Sequence, residues 1–101
     1  MRISEKEKKI IIEAVKKLDP NAKIWLFGSR TDDKKKGGDI DIAILSDYID
    51  ENKMHKIEIK RLILDGIGEQ KLDIITSKTG KEAIFELAIA EGIQLYESAI
   101  R

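Results

Sequence analysis

Two aspartates alternate with apolar residues in the run Gly38-Asp39-Ile40-Asp41-Ile42-Ala43-Ile44. Strict alternation is typical of a β-strand, in which successive side chains point to opposite faces. Asp39 and Asp41 would therefore lie side by side on one face, with the isoleucines on the other. Two neighbouring carboxylates repel each other, and a hard divalent cation bound through oxygen ligands relieves that repulsion. The pair predicts a divalent metal site.

A glycine–serine pair, Gly28-Ser29, follows directly after the apolar run Ile24 to Phe27. Glycine allows the backbone to approach a ligand closely or to adopt a positive φ. A serine at the start of a helix would present its hydroxyl and the free N–H groups to an anion, for which phosphate is the obvious candidate. Arg30 comes next and could bind a phosphate in bidentate fashion. The sequence therefore predicts a phosphate site near the paired carboxylates.

A third aspartate stands in the otherwise apolar run Leu72-Asp73-Ile74-Ile75. A carboxylate that is buried without a partner is costly, so Asp73 lies either at a wet edge of the sheet or turned towards the same metal site. Because Asp39 and Asp41 already indicate such a site, we favour the second interpretation.

Several helices and strands are needed to position these residues. Ser4 to Glu7 has the pattern of a capping box, which predicts the start of a first helix, and Asp19-Pro20 ends it. The inward face of this helix is expected from helical spacing to contain Ile11, Ala14, Val15 and Leu18.

The remaining elements are predicted from shorter patterns. Strands are expected at residues 23–27, in the run with the paired aspartates, at 71–76 and, as a short closing segment, at 93–96. A second helix is expected at about 50–65 and a third at about 81–90. Their inward faces are predicted to include Met54, Ile57, Leu62 and Leu64 in the second helix, and Ile84, Leu87 and Ala88 in the third.

The combined motif has a recognisable form: Gly28-Ser29, nine intervening residues, Asp39-x-Asp41, and a third strand aspartate at Asp73. It resembles the nucleotidyltransferase superfamily of DNA polymerase beta, and in particular its minimal members, the MNT proteins that are often paired with HEPN proteins. The resemblance implies an α/β (α+β) fold in which helices pack on a small mixed β-sheet, within a single domain over residues 1–101. The motif departs from many relatives in having Gly38 in place of a serine and a lysine-rich loop about one residue shorter.

The resemblance also implies a mechanism. Two divalent ions, Mg²⁺ or else Mn²⁺, would lie between a nucleoside triphosphate and the carboxylates of Asp39, Asp41 and Asp73, and Asp73 would also orient or deprotonate the attacking hydroxyl. The outgoing phosphates would be held by Gly28, Ser29 and Arg30.

The expected partners follow from the same family. The donor would be ATP or another nucleoside triphosphate, and AMP would pass to a tyrosine of a HEPN toxin, with this chain as the antitoxin. The residues leave open whether the protein forms homo-oligomers or hetero-oligomers.

Composition excludes several other classes of protein. The chain has 101 residues, 42% hydrophobic and 38% charged, which is typical of one small folded domain. Cysteine is absent from the sequence, which excludes disulfides, thiolate zinc sites and cysteine nucleophiles. The net charge is zero, which argues against binding nucleic acid through bulk electrostatics. The sequence has no apolar run of about 18 residues and no signal-peptide pattern, so we expect a cytoplasmic protein.

Three alternatives remain open at this stage. The chain could keep the fold but neutralise its partner by occlusion alone. It could transfer nucleotides to RNA or to a small molecule. It could also be a purely structural domain stabilised by metal, which would leave the Gly28-Ser29 turn unexplained.

Overall fold

The computed structural model of the protein describes residues 3–28, 40–49, 53–68 and 70–96. These residues form three helices and four strands: α1 (Glu5–Leu18), β1 (Lys23–Phe27), β2 (Ile40–Leu45), α2 (Lys53–Ile67), β3 (Leu72–Ser77), α3 (Ala83–Glu91) and β4 (Ile93–Tyr96). None of the helices within these ranges is long and apolar enough to cross a membrane.

The strands described here form one mixed sheet in the order β3-β2-β1-β4. β1 pairs antiparallel with β2 and with β4, whereas β2 pairs parallel with β3. A parallel pair needs a long crossover connection, and α2 lies in the connection between β2 and β3. The predicted α/β (α+β) fold with a small mixed sheet is therefore confirmed.

One face of the sheet carries the larger hydrophobic core, on which α1 and α2 pack. Alternate residues of each strand point into it, as expected for a pleated sheet with a covered face. Its fully buried side chains include Ile24, Leu26, Ile40, Ile42 and Ile44 from the strands, and Ile11, Val15, Ile59 and Ile63 from the helices.

The opposite face carries a smaller cluster beneath α3. It consists of Trp25, Ala43, Phe85 and Ala88. The Trp25 and Phe85 rings meet edge to face, with centroids 6.1 Å apart and planes at 85°. Trp25 therefore serves the packing of α3 on the sheet.

The local features of α1 are those that its sequence predicts. The Ser4 hydroxyl accepts a hydrogen bond from Glu7 N at 3.0 Å, and the Glu7 carboxylate accepts one from Ser4 N at 2.9 Å, which completes the capping box. The helix ends at Leu18, and the Asp19 carboxylate accepts a hydrogen bond from Asn21 N at 2.9 Å.

The predicted inward faces of the other helices were partly wrong. In α2, Met54 is 69% exposed and Ile57 is 57% exposed, whereas Ile59 and Ile63 are fully buried. The physical reason is that isoleucine and leucine occur on several sides of α2, so that its periodicity does not select one side.

The same difficulty affects α3. Ile84 and Leu87 lie on its exposed side, and Phe85 takes the buried place together with Ala88, which was correctly assigned. α3 is apolar on nearly every side, and the contact between Phe85 and Trp25 determines which side meets the sheet.

Candidate active site

Asp41 of β2 and Asp73 of β3 occupy opposite positions in the register of the parallel strand pair. Adjacent strands lie about 4.8 Å apart, so the two residues are direct neighbours in the sheet. Ile40 and Ile42 point into the larger core, and Asp41 between them therefore points to the face on which α3 packs. Asp41 is half-buried and Asp73 is exposed.

Gly28 lies against Asp41 at the same end of the sheet. Phe27, the last residue of β1, is the register partner of Asp41 in the antiparallel pair. Gly28 has a φ of +76°, and a Cβ placed on it would overlap Oδ2 of Asp41 and come within 3.2 Å of its Cγ. Glycine is therefore required here both by backbone conformation and by the closeness of the carboxylate.

Three of the six predicted site residues lie outside the described residues. They are Ser29, Arg30 and Asp39. Their roles stay predictions. The structure brings the other three, Gly28, Asp41 and Asp73, to one end of the sheet.

The carboxylates of this end suit a hard divalent cation. Within residues 3–28, 40–49, 53–68 and 70–96, no group of three or more acidic, histidine or cysteine side chains lies close enough to hold a metal ion. Asp41 and Asp73 supply two carboxylates, and oxygen ligands are those that Mg²⁺ and Mn²⁺ prefer. A third carboxylate would have to come from elsewhere in the chain, and Asp39 is two residues from Asp41 in sequence. The donor set therefore fits such an ion.

The turn after β3 determines where α3 begins. The Ser77 hydroxyl accepts hydrogen bonds from Thr79 N at 3.2 Å and Gly80 N at 2.7 Å, and it donates one to the Glu82 carboxylate. That last hydrogen bond is the main reason that the pKa of Glu82 is lowered from its ordinary value. These contacts fix the turn after Ser77, at the end of β3 opposite to Asp73, and so fix the position at which α3 begins.

A groove opens beside Gly28, between the end of β1 and α3. Its volume is about 270 Å³, and it is lined by Phe27, Gly28, Ile84, Leu87, Ala88 and Glu91. Sequence reasoning missed this groove because Ile84 and Leu87 were assigned to the buried side of α3. One feature of the sequence could have indicated the groove: α3 is apolar on nearly every side, and a helix of this kind is typically covered on every side.

Comparisons with known proteins agree with this arrangement. The family model described as "Polymerase beta, Nucleotidyltransferase" matches residues 8–101. A search of curated protein sequences gave no match.

Solved structures of toxin–antitoxin complexes share the fold. An MntA–HepT complex matches with a TM-score of 0.68 and 20% identity, over 94% of this chain and 74% of that one. A toxin–antitoxin complex with AMP-PNP gives a TM-score of 0.72 and 21% identity, over 91% and 74%. A complex of a tri-AMPylated HEPN toxin of Shewanella oneidensis with its MNT antitoxin gives 0.66 and 21%, over 91% and 71%. With the family match over residues 8–101, these observations identify the chain as a member of the polymerase beta nucleotidyltransferase family.

Proposed function

We propose that this protein is the antitoxin of a toxin–antitoxin pair and that it transfers AMP from ATP to a tyrosine hydroxyl of a HEPN toxin. The observation that supports this most directly is the register of Asp41 with Asp73, next to the glycine that begins the family motif. Carboxylates in this place have no role in the hydrophobic core, since Asp41 is half-buried and Asp73 is exposed.

The solved relatives support the identity of donor and acceptor. One was determined with AMP-PNP, an analogue of ATP, and another contains a HEPN toxin that carries AMP groups beside an MNT antitoxin. We transfer both substrates to this chain as a proposal, because the fold and the family are shared.

The proposed reaction is an in-line displacement at phosphorus. The oxygen of the acceptor hydroxyl attacks the α-phosphorus of ATP, the bond from that phosphorus to the bridging oxygen of the β-phosphate breaks, and pyrophosphate leaves. Asp73 accepts the hydroxyl proton or orients the hydroxyl, because its exposed carboxylate can be reached by an incoming side chain. The product is a phosphodiester between tyrosine and AMP.

Enzymes of this superfamily generally use divalent metal ions. We propose that Asp39, Asp41 and Asp73 hold Mg²⁺, two ions in all, or Mn²⁺ in its place. When bound, such ions neutralise phosphate charge and stabilise the entering and leaving oxygens.

The phosphate chain is proposed to lie along the turn that begins at Gly28. Gly28 is exposed, and its φ of +76° turns the chain at the end of β1, beside the Asp41 carboxylate. Ser29 and Arg30 are expected to complete this binding by a hydroxyl and a guanidinium. Alignment of donor and acceptor and stabilisation of charge then supply most of the catalysis.

We further propose that residues 1–101 act as one nucleotidyltransferase domain and that the protein works in the cytoplasm, where ATP and an intracellular toxin would both be found. Neutralisation by occlusion alone remains the main rival, and it makes a different prediction for labelled ATP.

The test uses the chain together with the protein encoded by its neighbouring gene. With Mg²⁺, label at the α-phosphate of ATP should reach the partner, and label at the γ-phosphate should not. Asp41→Asn and Asp73→Asn should each abolish transfer. Asp47→Asn is the matched control, since Asp47 is exposed near the other end of β2.

Two outcomes would contradict the proposal. Transfer of label from the γ-phosphate would indicate phosphorylation. Neutralisation of the partner by wild-type and both variants alike, without transfer of any label, would establish occlusion.

A further inference from the structure

The groove beside Gly28 shares that residue with the proposed phosphate site. Gly28 is close to the Asp41 carboxylate, and it also lines the groove together with Ile84, Leu87 and Ala88 of α3. A ligand whose phosphates reach the carboxylates would therefore have its remaining part at the mouth of the groove.

The walls of the groove suit an uncharged, flat group. Phe27, Ile84, Leu87 and Ala88 are apolar, and they make up most of the lining. Ile84 is 65% exposed and Leu87 is 59% exposed, and the two lie three residues apart, so that their side chains form one apolar patch on α3. Nucleobases are commonly held by stacking against apolar or aromatic side chains, because every base has a flat apolar face.

Charge near the groove disfavours phosphate. Within the part of the chain that the structure describes, Glu91 is the one ionisable residue in the lining, and it lies in the last turn of α3. The carboxyl end of a helix carries partial negative charge as well. Both groups repel an anion, and both are hydrogen-bond acceptors that an amino group of a base can satisfy.

α3 packs closely against β1 at one end of the groove. A Cβ on Gly92, which follows α3, would come within 2.7 Å of the Leu26 carbonyl oxygen and 3.3 Å of Phe27 Cβ. The end of α3 therefore lies directly against β1, next to Gly28, and this packing fixes one end of the groove.

The size of the groove also favours a small ligand. Its volume of about 270 Å³ lies just below the range of about 300–1,000 Å³ that is typical of sites for drug-sized molecules. A base with its ribose matches such a site, while the phosphates extend past Gly28.

We infer that the groove formed by Phe27, Gly28 and α3 binds the base and ribose of the nucleoside triphosphate, and that Glu91 favours a base with an exocyclic amino group. The inference rests on the proposed function, because it takes Gly28 as the start of the phosphate site. It assigns to α3 a direct role in nucleotide selection.

The test compares a nucleotide with a ligand that lacks the nucleoside. The double variant Ile84→Asn/Leu87→Asn makes the groove wall polar without adding charge. The matched control is Met54→Asn/Ile57→Asn, which changes two exposed apolar residues with the same spacing on α2. Isothermal titration calorimetry on the full chain would measure the Kd of ATP and of tripolyphosphate, each with Mg²⁺.

The groove variant should weaken ATP binding about tenfold and leave the Kd of tripolyphosphate unchanged, and the control should change neither. Equal weakening of both ligands would overturn the inference. So would unchanged ATP binding with reduced labelling of the partner protein, which would assign this face to the acceptor.

Failure of the proposed reaction can be distinguished from failure of the inferred base site. Wild-type protein that binds ATP about tenfold better than the groove variant, yet transfers no α-phosphate label, would support the groove and overturn the reaction. Wild-type protein that binds neither ligand would overturn both.

Discussion

The carboxylate of Asp41 lies so close to the backbone of Gly28 that residue 28 has no room for a side chain. This contact joins the first element of the family motif to the second. It also couples the conformation of the turn after β1 to the position of a proposed metal ligand, so that a substitution of Gly28 should displace the Asp41 carboxylate.

Replacing Gly28 tests that relationship. Gly28→Ala would place a methyl group onto Oδ2 of Asp41 and force alanine to adopt a φ of +76°. We expect AMP transfer to fall by about 100-fold, and stability to fall by about 1–2 kcal/mol from the backbone conformation alone.

Gly68→Ala is the control for this prediction. Gly68 has a φ of +91°, but a Cβ there would meet nothing within 4 Å. The control should lose similar stability in urea denaturation and keep full transfer. Equal transfer in the two variants would show that the contact with Asp41 has no functional importance.

Metal binding should be visible without any measurement of activity. An ion that binds only the folded state raises the melting temperature. Mg²⁺ or Mn²⁺ should therefore raise the Tm of the wild-type protein, and Asp41→Asn/Asp73→Asn should abolish most of the rise. Asp47→Asn should retain it. An equal rise in Tm for the wild type and both variants would show that the ion binds elsewhere.

Ser46 should matter for stability and not for transfer. Its buried hydroxyl accepts hydrogen bonds from Tyr48 N at 3.0 Å and Ile49 N at 2.8 Å, and it donates one to the Asp19 carboxylate at 2.5 Å. Ser46→Ala would remove all of these, and we expect a loss of about 1–3 kcal/mol because the buried N–H of Ile49 loses its acceptor.

The loss of stability in Ser46→Ala can be compared with that in Ser4→Ala, which removes the capping residue of α1. Ser4→Ala should cost about 1 kcal/mol, since its partners are exposed and water can replace the hydroxyl. Denaturant titration of both variants would compare them. A smaller loss for Ser46→Ala than for Ser4→Ala would contradict the importance assigned to burial.

The contribution of the turn before α3 to stability should depend on pH, because the turn contains Glu82. The hydrogen bond from Ser77 lowers the pKa of Glu82 below its ordinary value of 4.5. Because the pKa is lower in the folded state, its contribution to stability is present above 4.5 and is lost as the pH falls through the folded value. Glu82→Gln should therefore be less stable than the wild type at neutral pH and equal to it in strong acid.

This difference should be small, because Glu82 is exposed to solvent. Denaturant titrations of both proteins at neutral and acidic pH would measure it. A difference that grows as the pH falls below 4.5 would contradict the assigned role of the carboxylate.

Local patterns determined a large part of this structure from sequence alone. The capping box at Ser4, the end of α1 at Leu18 and the bounds of β1 depend on residues a few positions apart, so they can be read without knowledge of the fold. The alternation that turns Asp41 away from Ile40 and Ile42 is equally local. The family motif is a matter of order and spacing, and the match over residues 8–101 confirms the family that it predicted.

The tertiary structure alone decided which positions meet. The register of Asp41 with Asp73 joins two strands that α2 separates in the chain, and no local rule determines such a register. Which sides of α2 and α3 are exposed depends on the side chains of the sheet on which the helices pack. In α3, Phe85 is buried against Trp25, and Leu87 is therefore left at the groove. Helices that are apolar on several sides carry too little periodicity to make that choice themselves.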